Sequence, residues 1–422
     1  MRKTLLYSIS ILLLLSVISG ITGCNSNPEP AQNETFKVGA IYPMSGSNSL
    51  LGQQCMAAVR IAVDFVNKNG GVHGATVELF EADAPDPTAA ATEAGRLIDQ
   101  KGVKVIFGSL ASGNAIAIAG VCDKSGVILV ESGGIADALT DQGFKCVFRI
   151  LDKGGLRGAA GVNYVSQELT KLLNIPTEAL KIAILHEDSA YGESVAAGAR
   201  NQCSKLGINV VSDQAYNVSL KDMTSLTLNI KEAKPDVLLM VNYVDDAILI
   251  MDTLRQYSAV PKAIMGCGAG ATSPKFATDI GPDSSGIFCT DMPTNLSLDV
   301  YAGDPAIRET VVNFREALLS VYPDLKTGSI AAEAAFSGAY TFMNSILPNA
   351  ASLNFEDMRT AALNTKLPLT TLGFGWDLGE DGQNYAASAN INQWQDGQVV
   401  TVFPERMRNG SVINIPLPIA GI

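Results

Sequence analysis

An α/β fold of two doubly wound parallel-sheet lobes is what the order of elements predicts, and three observations carry it. Short apolar runs of strand length alternate with helix-period segments from Phe36 onward. The alternation reaches Val147-Phe-Arg-Ile150 and then starts again at Leu156. At 422 residues the chain exceeds one typical core, so two domains are the default.

The opening unit sets the pattern. Phe36-Lys-Val-Gly-Ala-Ile41 is a strand, broken by the turn formers Pro43 to Ser49. From Gly52, apolar residues fall at Cys55, Val59, Ala62, Val63 and Val66, one face of a helix that Asn69-Gly70-Gly71 closes. Thr76–Glu81 is a half-buried strand, and Asp86-Pro87-Thr88 starts a helix through Gln100. Val103–Phe107 is the next strand, Gly108–Gly113 its loop, and a helix follows to Lys124. Val127–Val130 is a strand and Glu131–Ile135 its loop; Val147–Ile150 is an extended segment leaving the domain. Strand alternating with helix implies parallel pairing and right-handed crossovers.

The second series repeats this plan. Helices are expected at Leu156–Leu173, Tyr191–Leu206, Met223–Ala233 and Asp245–Tyr257. Strands are expected at Ile182–Leu185, Ile208–Val211, Asp236–Val241 and Lys262–Met265. The tail departs from it, with helices over Glu309–Val321, Ser329–Ile346 and Phe355–Leu363. Ile391–Trp394 and Val399–Phe403 flank Asp396-Gly397, a hairpin signal.

Residues 1–23 read as a lipoprotein signal peptide. Arg2 and Lys3 precede an apolar core from Leu5 to Ile18, and Ile21-Thr22-Gly23-Cys24 resembles a bacterial lipobox. That implies cleavage before Cys24 and lipid on its sulfur; an ordinary signal with an incidental cysteine is the rival. Residues 24–35 would tether the body to the membrane. No later run approaches the roughly 20 apolar residues of a membrane span. A net charge of −12 and pI near 4.7 argue against a nucleic-acid partner.

Without Cys24, six cysteines remain. Cys122–Cys146 is the first candidate disulfide and Cys267–Cys289 the second, with six buried thiols as the alternative. With no Cys-x-x-Cys and only His73 and His186, neither a metal nor a cofactor is expected.

Several pieces now recur in a familiar order. They are Lys37-Val-Gly-Ala with Met44-Ser-Gly46, Gly52, Asn69-Gly70-Gly71-Val72 with Gly74, and Asp86-Pro87. Val105-Ile-Phe-Gly108, Arg149, His186 with Tyr191-Gly192, and Trp376-Asp377 follow. The body from Phe36 to Phe403 resembles the branched-chain (leucine/isoleucine/valine-type) amino acid ABC transporter substrate-binding proteins. The resemblance implies a type I periplasmic-binding fold, two Rossmann-like lobes joined by a three-segment hinge. One lobe would be 36–150 plus 292–366, the other 151–291 plus 367–422. It further implies a monomer, anchored through Cys24 outside the cytoplasm, that closes on a small ligand and hands it to a permease.

A zwitterion between lobes needs donors for a carboxylate, a partner for an ammonium, and an apolar wall. Ala111 and Ser112 stand where a strand gives way to a helix, and their loop could hold a carboxylate at the positive helix end. Plain N-capping by Ser112 is the alternative. Gly133 and Gly134 would offer main-chain contacts, whereas Ile135 stands where the resemblance implies a hydroxyl. Tyr191 and Tyr243 match rings that close over the ligand in the family, and Leu51 matches an aromatic wall position. Gly268 stands where amino-acid binders commonly carry the acid that pairs with the ammonium. Glu131, Asp245 or Asp291 are the substitutes within reach of neighbouring loops.

Three other readings are weaker. Gly266-Cys-Gly-Ala-Gly270 follows a strand, but it lacks the dinucleotide spacing and lies late in the chain. Asp377–Gly382 lacks the alternating ligands and terminal Glu of a calcium loop. There is no Gly-x-Ser-x-Gly elbow, so a hydrolase would have to be built around His186. A branched-chain or related amino acid is therefore the expected ligand and no enzyme activity is expected. An amide, urea or aromatic carboxylate is the alternative ligand, and sensing is the alternative to transport.

Overall fold

The computed structural model describes residues 35–325 and 328–420. The expected signal peptide and Cys24 lie outside them, as does the tether except for Thr35, which opens the first strand.

Five strands form one all-parallel sheet, in the order β2-β1-β3-β4-β5. They are β1 (Thr35–Tyr42), β2 (Thr76–Asp83), β3 (Val105–Gly108), β4 (Ile128–Glu131) and β5 (Val147–Arg149). Between them run helices α1 (Ser49–Lys68), α2 (Pro87–Arg96), α3 (Ser112–Ser125) and the single turn α4 (Ala138–Asp141). Both faces are buried, as a crossover-connected parallel sheet requires. Val38, Ala40 and Tyr42 point to one face with Val105 and Phe107, while Ile41 points to the other with Ile106 and Leu129.

The second sheet repeats the order and then extends it. β6 (Lys181–Glu187), β7 (Asn209–Tyr216), β8 (Val237–Val241), β9 (Ala263–Cys267) and β10 (Phe288–Asp291) lie as β10-β9-β8-β6-β7, all parallel. The strand β11 (Asn390–Gln395) adds antiparallel to β10, and β12 (Gln398–Phe403) closes the edge as a hairpin. Asp396 and Gly397 make that turn at φ 51° and 74°, the left-handed pair a two-residue hairpin needs.

Helices α5 (Gly154–Tyr164), α6 (Ala190–Leu206), α7 (Thr224–Ala233), α8 (Val244–Gln256), the short α9 (Ala269–Thr272) and α10 (Pro274–Ile280) surround this sheet. Then α11 (Pro305–Val321), α12 (Ile330–Thr341) and α13 (Phe355–Asn364) return to the first sheet, where α11 and α12 both pack on α1. Between β9 and β10, which carry Cys267 and Cys289 near their ends, the short helices α9 and α10 add to the expected elements.

The chain thus passes between the sheets three times, after β5, after β10 and before β11. The first and third passages are sewn together. Gln383 donates to the Leu151 carbonyl at 2.7 Å and accepts from Arg149 Nε at 2.7 Å, and Asn384 donates to the Ile150 carbonyl at 3.0 Å. Arg149, fully buried, also reaches the Ala136 carbonyl and Thr140.

Neither expected disulfide forms. All six described cysteines are buried thiols, and Cys146 gives its S–H to the Ala119 carbonyl instead of bonding Cys122.

Candidate functional site

In a 2-1-3-4-5 sheet the loops at the carboxyl ends of the strands border a crevice, and here two such edges oppose each other. A cavity of about 50 Å³ lies between them. Leu51, Leu110, Ser132, Gly133 and the start of α12 (Ser329 to Ala331) line it from the first sheet. Arg157 of α5, Thr272 to Pro274 after β9, and Asp291 and Met292 after β10 line it from the second.

On the first side, two loops are clamped around an internal carboxylate. Glu131, the last residue of β4, takes the N–H groups of Ser109, Gly133 and Gly134 on Oε1, at 2.8, 2.7 and 2.6 Å. Burial pushes the Glu131 carboxyl above its usual range, and these three donors pull it back. A Cβ at Gly133 would stand 2.4 Å from Leu110 Cα, so only glycine lets the loops approach this closely.

The main-chain donors expected from Gly133 and Gly134 are thus committed to Glu131. Ser112 is not the cap of α3 but its first residue; the cap is Ala111, and the Ser112 hydroxyl accepts from Ala136 N–H at 3.0 Å. Ile135 is buried, and its carbonyl accepts from Gly154 at 2.7 Å. The N–H groups of Ser112, Gly113 and Ile135 find no acceptor among the described residues. The first two stand at the positive end of α3 and the third in the loop after β4, and none of the three lines the cavity.

On the second side the polar groups are ionic. Arg157 holds Asp152 through Nε and Nη2, at 3.2 and 2.5 Å, and Asp291 Oδ1 through Nη1 at 2.6 Å. Met292 N–H also donates to Asp291 Oδ1, and the Thr272 hydroxyl donates to Oδ2 at 3.0 Å. Burial acts to lower the Arg157 pKa, but Asp152 and Asp291 overcome it and raise it. Burial pushes the Asp291 carboxyl up, with Arg157 opposing.

Tyr191 and Tyr243 stand side by side, ring centres 5.5 Å apart, but neither lines the cavity. The Tyr191 hydroxyl donates to the Cys267 carbonyl. It also explains the missing acid. Gly268 has φ 69° and ψ −155°, a region open essentially to glycine, and a Cβ there would lie 2.4 Å from the Tyr191 oxygen. Of the three substitutes, Asp245 is exposed near Lys275, Glu131 is bound to its own loops, and Asp291 lines the cavity. Arg157 and Thr272 were not found from sequence; Arg157 sits in a glycine-rich first helical turn with no motif around it.

The remaining chemistry-bearing residue is spent on structure. His186 is buried in β6 with Nδ1 3.0 Å from the Glu187 carbonyl, and the nearby Ser189 hydroxyl donates to Glu187.

Comparison with known proteins agrees with this architecture. A Leu/Ile/Val-binding protein homolog 7 of Brucella abortus is 31% identical over 372 residues, 88% of this chain and 92% of the relative. A leucine binding protein LivK from Thermotoga maritima superposes with a TM-score of 0.75 at 22% identity, over 87% of this chain and 97% of that one. A solute binding protein from R. palustris, solved with 4-hydroxybenzoate, gives 0.69 at 19% identity, over 87% and 95%. The two α/β lobes are those of the type I periplasmic-binding fold. Residues 35–398 match the periplasmic binding protein family model, and the chain belongs to that family.

Proposed function

We propose that this chain captures a branched-chain or related amino acid between its two lobes and delivers it to an ABC permease. The observation that carries this is the polarity of the cleft. Asp291 lines the cavity from the second sheet, and N–H groups without an acceptor stand at the start of α3, behind the loop that lines it from the first; an opening of the lobes that brought both to the ligand would complement a zwitterion. Leu51 and Leu110 supply an apolar wall between them. The Brucella relative is named for leucine, isoleucine and valine, in keeping with this. The lobes, 36–150 with 292–366 and 151–291 with 367–422, would close by bending at the three passages. Lipid on Cys24 would hold the protein as a monomer at the outer face of the membrane; loss of acyl labelling in Cys24→Ser tests that part.

A second reading keeps the receptor and changes the ligand to an aromatic carboxylate. Gly268 and Ile135 favour it, since neither brings the acid or hydroxyl expected of an amino-acid site, and the R. palustris neighbour was solved with such a ligand. A thermal-shift screen of the full chain against amino acids, amides and aromatic acids separates the two. A ligand at a hundred times its dissociation constant adds about 2.7 kcal/mol to stability. A shift with leucine, isoleucine or valine supports the first reading. A shift confined to amine-free acids replaces it with the second.

A further inference from the structure

We propose that Asp291 is the partner for the ligand's ammonium, one strand over from the empty position 268, and so selects ligands with a free primary amine. This rests on the amino-acid reading of the cleft and assigns the group that makes the choice.

Charge balance is the first argument. Arg157 is one cation held between two carboxylates, Asp152 and Asp291, with all three side chains 3% exposed. Two carboxylates thus share one guanidinium in direct contact, and a second cation beside Asp291 would offset part of its desolvation. Arg149, the next cation outward, gives its N–H groups to Gln383, Thr140 and Ala136, and its charge is shared among Asp137, Asp152, Glu131 and Asp141, so it is not a dedicated partner for either acid of the cluster. Among the residues lining the cavity, Arg157 is the one cation and Asp291 the one anion.

Geometry is the second. Cys267 and Thr290 are paired across β9 and β10, and Gly268 N–H donates to the Thr290 carbonyl at 3.0 Å. Asp291 thus stands level with Gly268 on the adjacent strand. Its Oδ1 is taken by Arg157 and Met292, while Oδ2 accepts only the Thr272 hydroxyl and keeps a second acceptor site. Burial lifts the Asp291 carboxyl, and Arg157 opposes that shift, as a further cation on Oδ2 would.

The test is isothermal titration of the full chain with leucine and with 4-methylpentanoate, leucine's skeleton without the amine. Asp291→Asn is expected to weaken leucine ~100-fold, the scale of losing one partner of a buried charge pair, and to leave 4-methylpentanoate within about 3-fold. Leucine binding unchanged in Asp291→Asn overturns the assignment, and so does an equal loss of both ligands. A wild-type protein that takes 4-methylpentanoate or 4-hydroxybenzoate and no amino acid overturns the assignment and the amino-acid reading together. Should Asp291→Asn fail to fold, Thr272→Val carries the test. Its leucine preference over 4-methylpentanoate should fall about 5-fold, the worth of one hydrogen bond, and an unchanged preference overturns the proposal.

Discussion

Replacing Arg157 by methionine separates the ionic role of this side chain from its bulk. Methionine is long, unbranched and adaptable, so the volume term stays small. What is lost is the guanidinium that touches Asp152 and Asp291 at 2.5 and 2.6 Å in a place where both carboxylates are 3% exposed. Breaking such a buried pair costs about 3–5 kcal/mol. The sign with pH follows from Asp291. Its folded-state pKa already lies above the ordinary value because of burial, and Arg157 is the main group opposing that shift. Without Arg157 it rises further, so the folded variant keeps a proton that the unfolded chain has released. Stability then falls as pH climbs from the ordinary carboxylate value, about 3.9, through the raised one, by about 1.4 kcal/mol per unit of extra shift. Urea denaturation of wild type and Arg157→Met at about pH 5 and about pH 7.5 reads this directly, with the larger loss expected at the higher pH. A loss below about 1 kcal/mol, or one equal at both pH values, would refute the reasoning.

Three further outcomes follow from single contacts. Gly268→Glu, which places an acid where the family resemblance implies one, should destabilise by about 2 kcal/mol or more in urea melts. Adding Tyr191→Phe should recover only the part due to the hydroxyl clash, because the backbone strain at φ 69° remains. Gln383→Ala leaves Arg149 Nε and the Leu151 carbonyl without partners and should cost about 3 kcal/mol in the same assay. Burial pushes the thiol of Cys203 up to about 11 and that of Cys267 to about 12. The six described thiols should therefore resist a thiol reagent in the native state, react fully in denaturant, and leave electrophoretic mobility unchanged by reductant.

The two-lobed fold was readable because its signals are local. Val38, Ala40 and Tyr42 alternate with Ile41 in a way that only a sheet buried on both faces rewards, and the glycine stops of the helices sit within each unit. Two residues that line the cavity, Leu51 in the first turn of α1 and Gly133 in the loop after β4, were readable because each closely follows a strand. Arg157 was not. It pairs with Asp291 across 134 positions, and nothing in Gly154-Gly-Leu-Arg-Gly158 announces an ion pair. Gly134 was expected to serve a ligand, yet its N–H faces Glu131, three residues back. Composition permits either use, and only the fold of the turn decides. The cysteines left two readings open for the same reason, and of these the six buried thiols hold while the Cys122–Cys146 and Cys267–Cys289 pairs do not.

Glu131 has one more consequence, which concerns the timing of order. A recognition loop commonly gains its shape when ligand arrives, and part of the binding energy goes into freezing it, about 0.5–1.5 kcal/mol per immobilised side chain. Here the loops after β3 and β4 already converge on a carboxylate that the chain itself supplies. Their conformational freedom is surrendered during folding, before any solute is met. A solute held there would meet a finished wall, and on the proposed reading its binding energy would be left for drawing the two lobes together.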